Sequence, residues 1–280
     1  MAAHHLPRVG EIEFLNCLPL AWGLAQQDLS DVMTLVSGTP DVLSDALIAG
    51  ELDVGPISLV EALSHLDEIV VLPEVAVGSD GPVQSVCLIS KIPVSQLHDA
   101  TISLGSTSRT SVVLARILLE QHLGIIARYR TDPPDLNQML GHSDAAVLIG
   151  DPALKATLFA APERGWEVLD LGLAWKEWTG LPMVFAVWAA RRSFAGNRSA
   201  ELGQVRRSFA RALSMANDEL RTVVYVAHAQ SGLPADVLAT YFAGLDFGLG
   251  ARQLAGIQRF CELSGQGDVS DLAVLDPIFP

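Results

Sequence analysis

The feature that most constrains this chain is a repeated alternation. Short apolar runs give way to runs of helical period, with small polar residues or proline at the junctions. Arg8–Glu13 reads as a strand, followed by a helix near Pro19–Gln27. Met33–Val36, Leu52–Ile57 and Ile69–Leu72 read as further strands, with helices over Pro40–Ala49 and Leu59–Leu66 between them. Such alternation predicts a mainly parallel sheet with helices on its faces. The pattern then restarts, with strands at Gln84–Ser90, Thr101–Leu104, Ile126–Arg130, Ala145–Ile149, Glu167–Asp170 and Met183–Ala190. A strong helix is expected over Ser108–His122. From Ser199 to about Leu263 the periodicity is helical, with breaks near Gly232–Pro234 and Gly244–Gly250.

Two α/β units and a helical tail fit either two sequential domains or two lobes joined by two chain crossings. The second arrangement is preferred, with Gln84–Ser90 and Met183–Ala190 as the crossings. It assigns residues 1–86 plus 187–280, including the tail, to one lobe and residues 87–186 to the other. A chain of 280 residues, half of them apolar, has material for two such cores.

Several function classes are disfavoured. The most apolar stretch, Leu181–Ala190, is too short to span a bilayer and is broken by Pro182. A net charge of −14 argues against nucleic acid as a partner, because phosphate contacts need a basic surface. It weighs less against a small anion, since salt screens surface charge beyond roughly 8–10 Å. The start, Met-Ala-Ala-His-His-Leu-Pro-Arg, lacks the pattern of a secretory signal. Cys17, Cys87 and Cys261 lie far apart, show no zinc-ligand spacing and cannot all pair. These features predict a reducing cytoplasm. Nothing in the sequence indicates the oligomeric state.

In open α/β sheets, ligands bind beyond the carboxyl ends of the strands. Here those ends run into Phe14–Pro19, Ser37–Pro40, Ser58, Gly105–Ser111 and Gly150–Pro152. One hydroxyl suffices to cap a helix, whereas Ser106–Ser111 carries five hydroxyls in six residues. A helix start with free amides and several hydroxyls is an anion site. It lacks the glycine spacing and lysine of a phosphate loop, so a carboxylate is the expected ligand. His4, His5, His65, His98, His122, His142 and His228 show no metal-binding pattern. No Gly-x-Ser-x-Gly elbow is present. Trp175, Trp178 and Trp188 either line a cleft or fill the core, and large aromatics more often do the latter.

These junctions carry a family resemblance. The ordered set comprises Arg8-Val9-Gly10, Phe14-Leu15-Asn16-Cys17-Leu18-Pro19-Leu20, the block Gly50–Ser58, Ser85-Val86 and Ser90-Lys91-Ile92-Pro93. It continues through Thr107–Ser111, Leu148-Ile149-Gly150-Asp151, Asp170-Leu171-Gly172 and Trp175–Pro182. Together they resemble the chorismate dehydratase family of the futalosine route to menaquinone, up to about residue 190 and more loosely in the tail. The resemblance implies an α/β, two-lobed, periplasmic-binding-protein-like (type II) fold with a ligand cleft between the lobes. It also implies dehydration of chorismate to 3-[(1-carboxyvinyl)oxy]benzoate, with no redox cofactor or metal.

On the matching positions, Thr107, Ser108, Thr110 and Ser111 are expected to hold a substrate carboxylate, with Ser58 also in the binding set. Asn16 and Ser85 would face the ring or the second carboxylate, and Gly150 and Asp151 would close the opposite side. Arg109 either pairs with a carboxylate or faces solvent. The proton acceptor is either Asp151 or the substrate's own enolpyruvyl carboxylate. Two other readings share the fold: a 1,4-dihydroxy-6-naphthoate synthase and a non-catalytic binder of small carboxylates.

Overall fold

A computed structural model describes residues 5–277. His4 and the residues before it in the amino-terminal stretch lie outside the described residues. In chain order the strands are β1 (Arg8–Ile12), β2 (Thr34–Gly38), β3 (Val54–Ser58), β4 (Ile69–Ser79), β5 (Val86–Ser90) and β6 (Thr101–Gly105). They continue as β7 (Arg128–Asp132), β8 (Ala145–Ile149), β9 (Glu167–Asp170), β10 (Met183–Arg191) and β11 (Leu245–Asp246).

The strands form two sheets. One has the order β11-β4-β10-β3-β1-β2 and the other β7-β6-β8-β5-β9. The chain leaves the first sheet after β4 and returns at β10. All of β10 pairs within the first sheet, so the return lies ahead of Met183 and upstream of the boundary expected at residue 187.

The expectation of a mainly parallel sheet needs correction. Pairs β1–β2, β1–β3, β6–β7 and β6–β8 are parallel. Strand β10 runs antiparallel to β3 and β4, and β5 runs antiparallel to β8 and β9. The strands next to the two crossings arrive from the other sheet and enter reversed. An apolar run buried on both faces looks the same in either direction, so composition does not reveal this.

Strand β4 also runs past its expected end at Leu72. Pro73 has no N–H for the ladder. The register with β10 shifts between Leu72↔Trp188 and Ala76↔Val187, so Pro73-Glu74-Val75 bulges out and pairing resumes beyond it. The helical tail forms Ser199–Asp218, Leu220–Ser231, Ala235–Gly244 and Ala251–Ser264. Its break at Glu219 is additional to the two expected. The tail packs on the first sheet: β11 pairs with β4 at Ser79 and Gly78. The Ser199–Asp218 helix lies so close to the Leu18–Ala25 helix that a β-carbon on Gly23 would sit 2.1 Å from the Ala212 carbonyl oxygen. The expected Ser108–His122 helix is α-helical over Arg109–Ile117 and continues as a π-turn over Leu118–His122.

Trp175 and Trp188 are fully buried and belong to the core. The Trp175 indole N–H donates to the Pro182 carbonyl at 3.2 Å. Cys17, Cys87 and Cys261 are free and buried. Among the described residues, no helix is long and apolar enough to cross a membrane.

Candidate functional site

A cleft lies between the two sheets, and its mostly apolar lining with a few convergent polar groups is that of a small-molecule site. Its first wall comes from the ends of β1 and β3 and from the Pro40–Ile48 helix. Its second comes from the Ser85 approach to β5, the start of the Arg109–Ile117 helix and the end of β8. Apolar side chains such as Ile12, Phe14, Val77 and Phe185 form much of the surface, and a few polar groups converge on it.

Of the residues expected from sequence, Asn16, Ser58, Ser85, Thr107, Ser108, Arg109, Ser111 and Gly150 all line this cleft. The chain leaves β1 into a one-turn helix, Leu15–Cys17, which carries Asn16. The Asn16 Oδ1 is buried with no hydrogen-bond partner among the described residues. Ser58 caps the Leu59–Ser64 helix, its Oγ accepting from the Glu61 N–H at 3.3 Å. Ser108 caps the Arg109–Ile117 helix in the same way, accepting from the Ser111 N–H at 3.2 Å. Both hydroxyls keep their own protons available. The helix start thus combines capping with the free hydroxyls of Thr107 and Ser111, where the macrodipole favours an anion.

Gly150 has φ of 61°, in the left-handed region. A β-carbon there would sit 2.8 Å from the Phe14 ring. Glycine therefore serves two ends at this point, the turn out of β8 and the close approach of Phe14. Its N–H donates to the Ser85 carbonyl at 2.7 Å, which ties the two edges of the second wall together.

Two expected residues do not line the cleft. Thr110 is buried, and its Oγ1 accepts from the Val60 N–H at 3.2 Å. It therefore satisfies a first-turn amide of the neighbouring Leu59–Ser64 helix rather than a ligand. Successive residues on a helix point about 100° apart, so Thr110 and Ser111 face different surroundings. Asp151 also stands off the cleft, its Oδ1 accepting from the Leu15 N–H at 3.0 Å. Burial raises its pKa, against the opposing effects of that hydrogen bond and of Lys155. Its visible work is to hold the loop that presents Asn16.

Arg109 faces carboxylates of the protein. Its Nη2 lies 2.8 Å from Asp45 Oδ1 and its Nη1 3.5 Å from Glu61 Oε2. Burial works to lower its pKa, but Asp45, Glu61 and Asp41 more than offset this and hold it above its ordinary value. The guanidinium spans the cleft mouth from the second wall to the first.

Three contributors were not anticipated. Asp41 and Ser44, on the Pro40–Ile48 helix, line the cleft, and each has a buried oxygen with no partner among the described residues. In sequence, Asp41 looks like an acid placed to complement a helix start. Tyr241, from the tail, donates its phenolic O–H to Ser85 Oγ at 2.9 Å. No local spacing links positions so far apart. Among the described residues, no cluster of three or more His, Cys, Asp or Glu side chains is arranged to hold a metal ion.

The chain resembles known proteins in sequence and in fold. A chorismate dehydratase from Thermus thermophilus is 36% identical over 170 residues, which make up 56% of this chain and 61% of that relative. The aligned part thus spans about three fifths of the relative's length. Solved structures show the same fold at low identity. A protein from Archaeoglobus fulgidus matches with a TM-score of 0.74 at 16% identity, covering 94% of this chain and 98% of that one. The periplasmic aliphatic sulphonate binding protein SsuA of Escherichia coli gives 0.67 at 19% identity, over 98% and 93%. A Candida albicans protein described as having the generic periplasmic binding protein fold gives 0.71 at 12% identity, over 99% and 100%. The fold is therefore the two-lobed, periplasmic-binding-protein-like one, with the cleft between the lobes. The family model described as menaquinone biosynthesis matches residues 7–266. This chain belongs to the menaquinone biosynthesis family.

Proposed function

We propose that this protein is a hydro-lyase that dehydrates chorismate to 3-[(1-carboxyvinyl)oxy]benzoate. The observation that carries the reading is the convergence of Asn16, Ser85, Gly150 and the Ser108–Ser111 helix start on one cleft, in a chain 36% identical to a chorismate dehydratase over the aligned part. The lobes divide near residue 86 and again ahead of β10. The reaction would run in the cytoplasm, in keeping with three free cysteines.

Chorismate carries two carboxylates, a ring hydroxyl and an enolpyruvyl ether. Loss of the hydroxyl and a neighbouring ring proton gives water and an aromatic ring. No electrons enter or leave overall, so the chemistry needs no redox partner. The protein must orient the ring, assist departure of the hydroxyl and provide for proton removal.

Thr107, Ser111 and the amides of the helix start bind one carboxylate, while the apolar walls exclude water from the ring. Ser85 and Asn16 donate to the departing hydroxyl or fix the reactive conformer. The proton passes to the substrate's own enolpyruvyl carboxylate, held beside the ring carbon that loses it. Asp151 is tied to the Leu15 amide, which favours this route over a base from that residue. Catalysis of this kind rests on positioning, which can supply several kcal/mol by itself.

The test is incubation of the purified chain with chorismate, followed by ultraviolet absorbance and mass spectrometry. Loss of one water with a new aromatic spectrum is the expected result. An unchanged spectrum with tight binding would make the protein a carboxylate receptor. Activity only on the substrate of 1,4-dihydroxy-6-naphthoate synthase would assign it to that later step.

A further inference from the structure

Ser85 is held more tightly than a cleft-lining serine requires. Its N–H donates to the Val83 carbonyl at 2.7 Å, and its carbonyl accepts from Gly150 at 2.7 Å. The residue before it, Gln84, has φ of 60°, a left-handed conformation that is costly for any residue with a side chain. The Asp170 carboxylate holds that strained turn by accepting from the Val83 N–H at 3.0 Å and the Gln84 N–H at 2.6 Å. Strain of this kind clusters at binding and catalytic sites, and here it lies next to the cleft-lining Ser85.

The remaining contact is to the side chain itself. Tyr241 lies in the Ala235–Gly244 helix, packed with Leu15, Leu238 and Phe242, and is 1% exposed. Its hydroxyl sits 2.9 Å from Ser85 Oγ. Two hydroxyls can share a hydrogen bond in either sense, but the surroundings select one. With Ser85 donating, the phenolic proton would be left in an apolar cluster and bear the full cost of an unpaired buried donor. With Tyr241 donating, the proton left over belongs to Ser85, which lines the cleft.

We propose that Tyr241 is a positioning residue: its O–H occupies one lone pair of Ser85 Oγ, fixes that side chain, and commits the Ser85 proton to the ligand in the cleft. The inference rests on the chorismate reading, in which that proton meets the departing ring hydroxyl. Burial raises the Tyr241 pKa well above the ordinary phenol range, so the phenol is a neutral donor at neutral pH.

The test is a double-mutant cycle of wild type, Tyr241→Phe, Ser85→Ala and the combined variant. Phenylalanine keeps the packed ring and removes only the oxygen. For Tyr241→Phe, kcat should fall about tenfold with KM nearly unchanged, as expected for one hydrogen bond that matters in the transition state. In the Ser85→Ala background, adding Tyr241→Phe should leave kcat as it was. It should also raise the melting temperature, because the phenol has already lost its acceptor. Wild-type kcat in Tyr241→Phe, or an equal further loss in the Ser85→Ala background, would overturn the inference. If wild type does not convert chorismate, the chorismate reading fails on its own, and calorimetric binding of chorismate to the four proteins decides the Tyr241 role. Non-additive binding losses then support it, while additive losses, or no binding at all, overturn it.

Discussion

Replacing Gly150 with alanine tests the local account of the cleft wall, because the structure separates its two costs. The first is conformational. Gly150 has φ of 61°, and the left-handed region costs an L-residue about 1–2 kcal/mol. The second is steric. The added β-carbon would meet Phe14 Cδ2 at 2.8 Å and its Cε2 and Cγ at 3.1 Å, so the ring must turn away at about 0.5–1.5 kcal/mol. Together these give roughly 1.5–3.5 kcal/mol, or a melting temperature lower by about 3–6 °C for a chain of 280 residues. Gly165→Ala is the control. That glycine has φ of 65° with nothing within 4 Å of the added carbon, so it should show the conformational cost alone. Thermal melts of both variants, monitored by circular dichroism, measure the difference. Gly150→Ala should also raise KM for chorismate, since the displaced ring belongs to the cleft lining. A Gly150→Ala protein that melts no lower than Gly165→Ala would refute the Phe14 contact. One that melts with wild type would refute the whole argument.

Other outcomes follow from the same geometry. Thr110→Val should cost about 1–3 kcal/mol by leaving the Val60 amide without its acceptor, yet leave turnover per folded molecule intact; a specific loss of chorismate binding without destabilisation would return Thr110 to the ligand. Ser111→Ala should weaken chorismate binding about three- to tenfold, the worth of one hydrogen bond, and an unchanged affinity by calorimetry would remove Ser111 from the carboxylate site. Asp151→Asn should retain most turnover, as should Asp41→Asn if the substrate supplies the base; near-complete loss of turnover with intact binding in either variant would assign the proton to that carboxylate. Asp151 also has a pH signature. Its pKa is raised on folding, so its contribution to stability is full below the ordinary value of 3.8 and disappears as pH climbs through the raised value. The asparagine variant lacks this loss, and denaturant melts should show it gaining on wild type between acid and neutral pH.

Much of this was legible in the chain because the relevant signals are local. The turn residues after β1, β3, β6 and β8 sit where a strand must hand over to a helix, and all four junctions contribute to the cleft. What stayed hidden depends on contacts across the fold. Thr110 and Ser111 are chemically near-equivalent neighbours, and only the packing of the Leu59–Ser64 helix sends one hydroxyl to Val60 and the other to the cleft. Asp151 lies next to Gly150 in sequence, but the Leu15 amide claims its carboxylate. Pro73 argues for a strand end, and the bulge that carries β4 past it exists because β10 lies alongside. The directions of β5 and β10 follow from the crossings, which no periodicity records. Tyr241 reaches Ser85 only after the tail folds back on the first sheet.

The most direct test of the central claim is a crystal structure with 3-[(1-carboxyvinyl)oxy]benzoate bound. The account predicts the ring between the two sheets, against Phe14 and Phe185. One carboxylate should accept from Ser111 and the amides at the Ser108 helix start, with the Ser85 hydroxyl within hydrogen-bond reach of the ring carbon's former oxygen position. Product bound elsewhere, or bound in the cleft with neither carboxylate at that helix start, would contradict it.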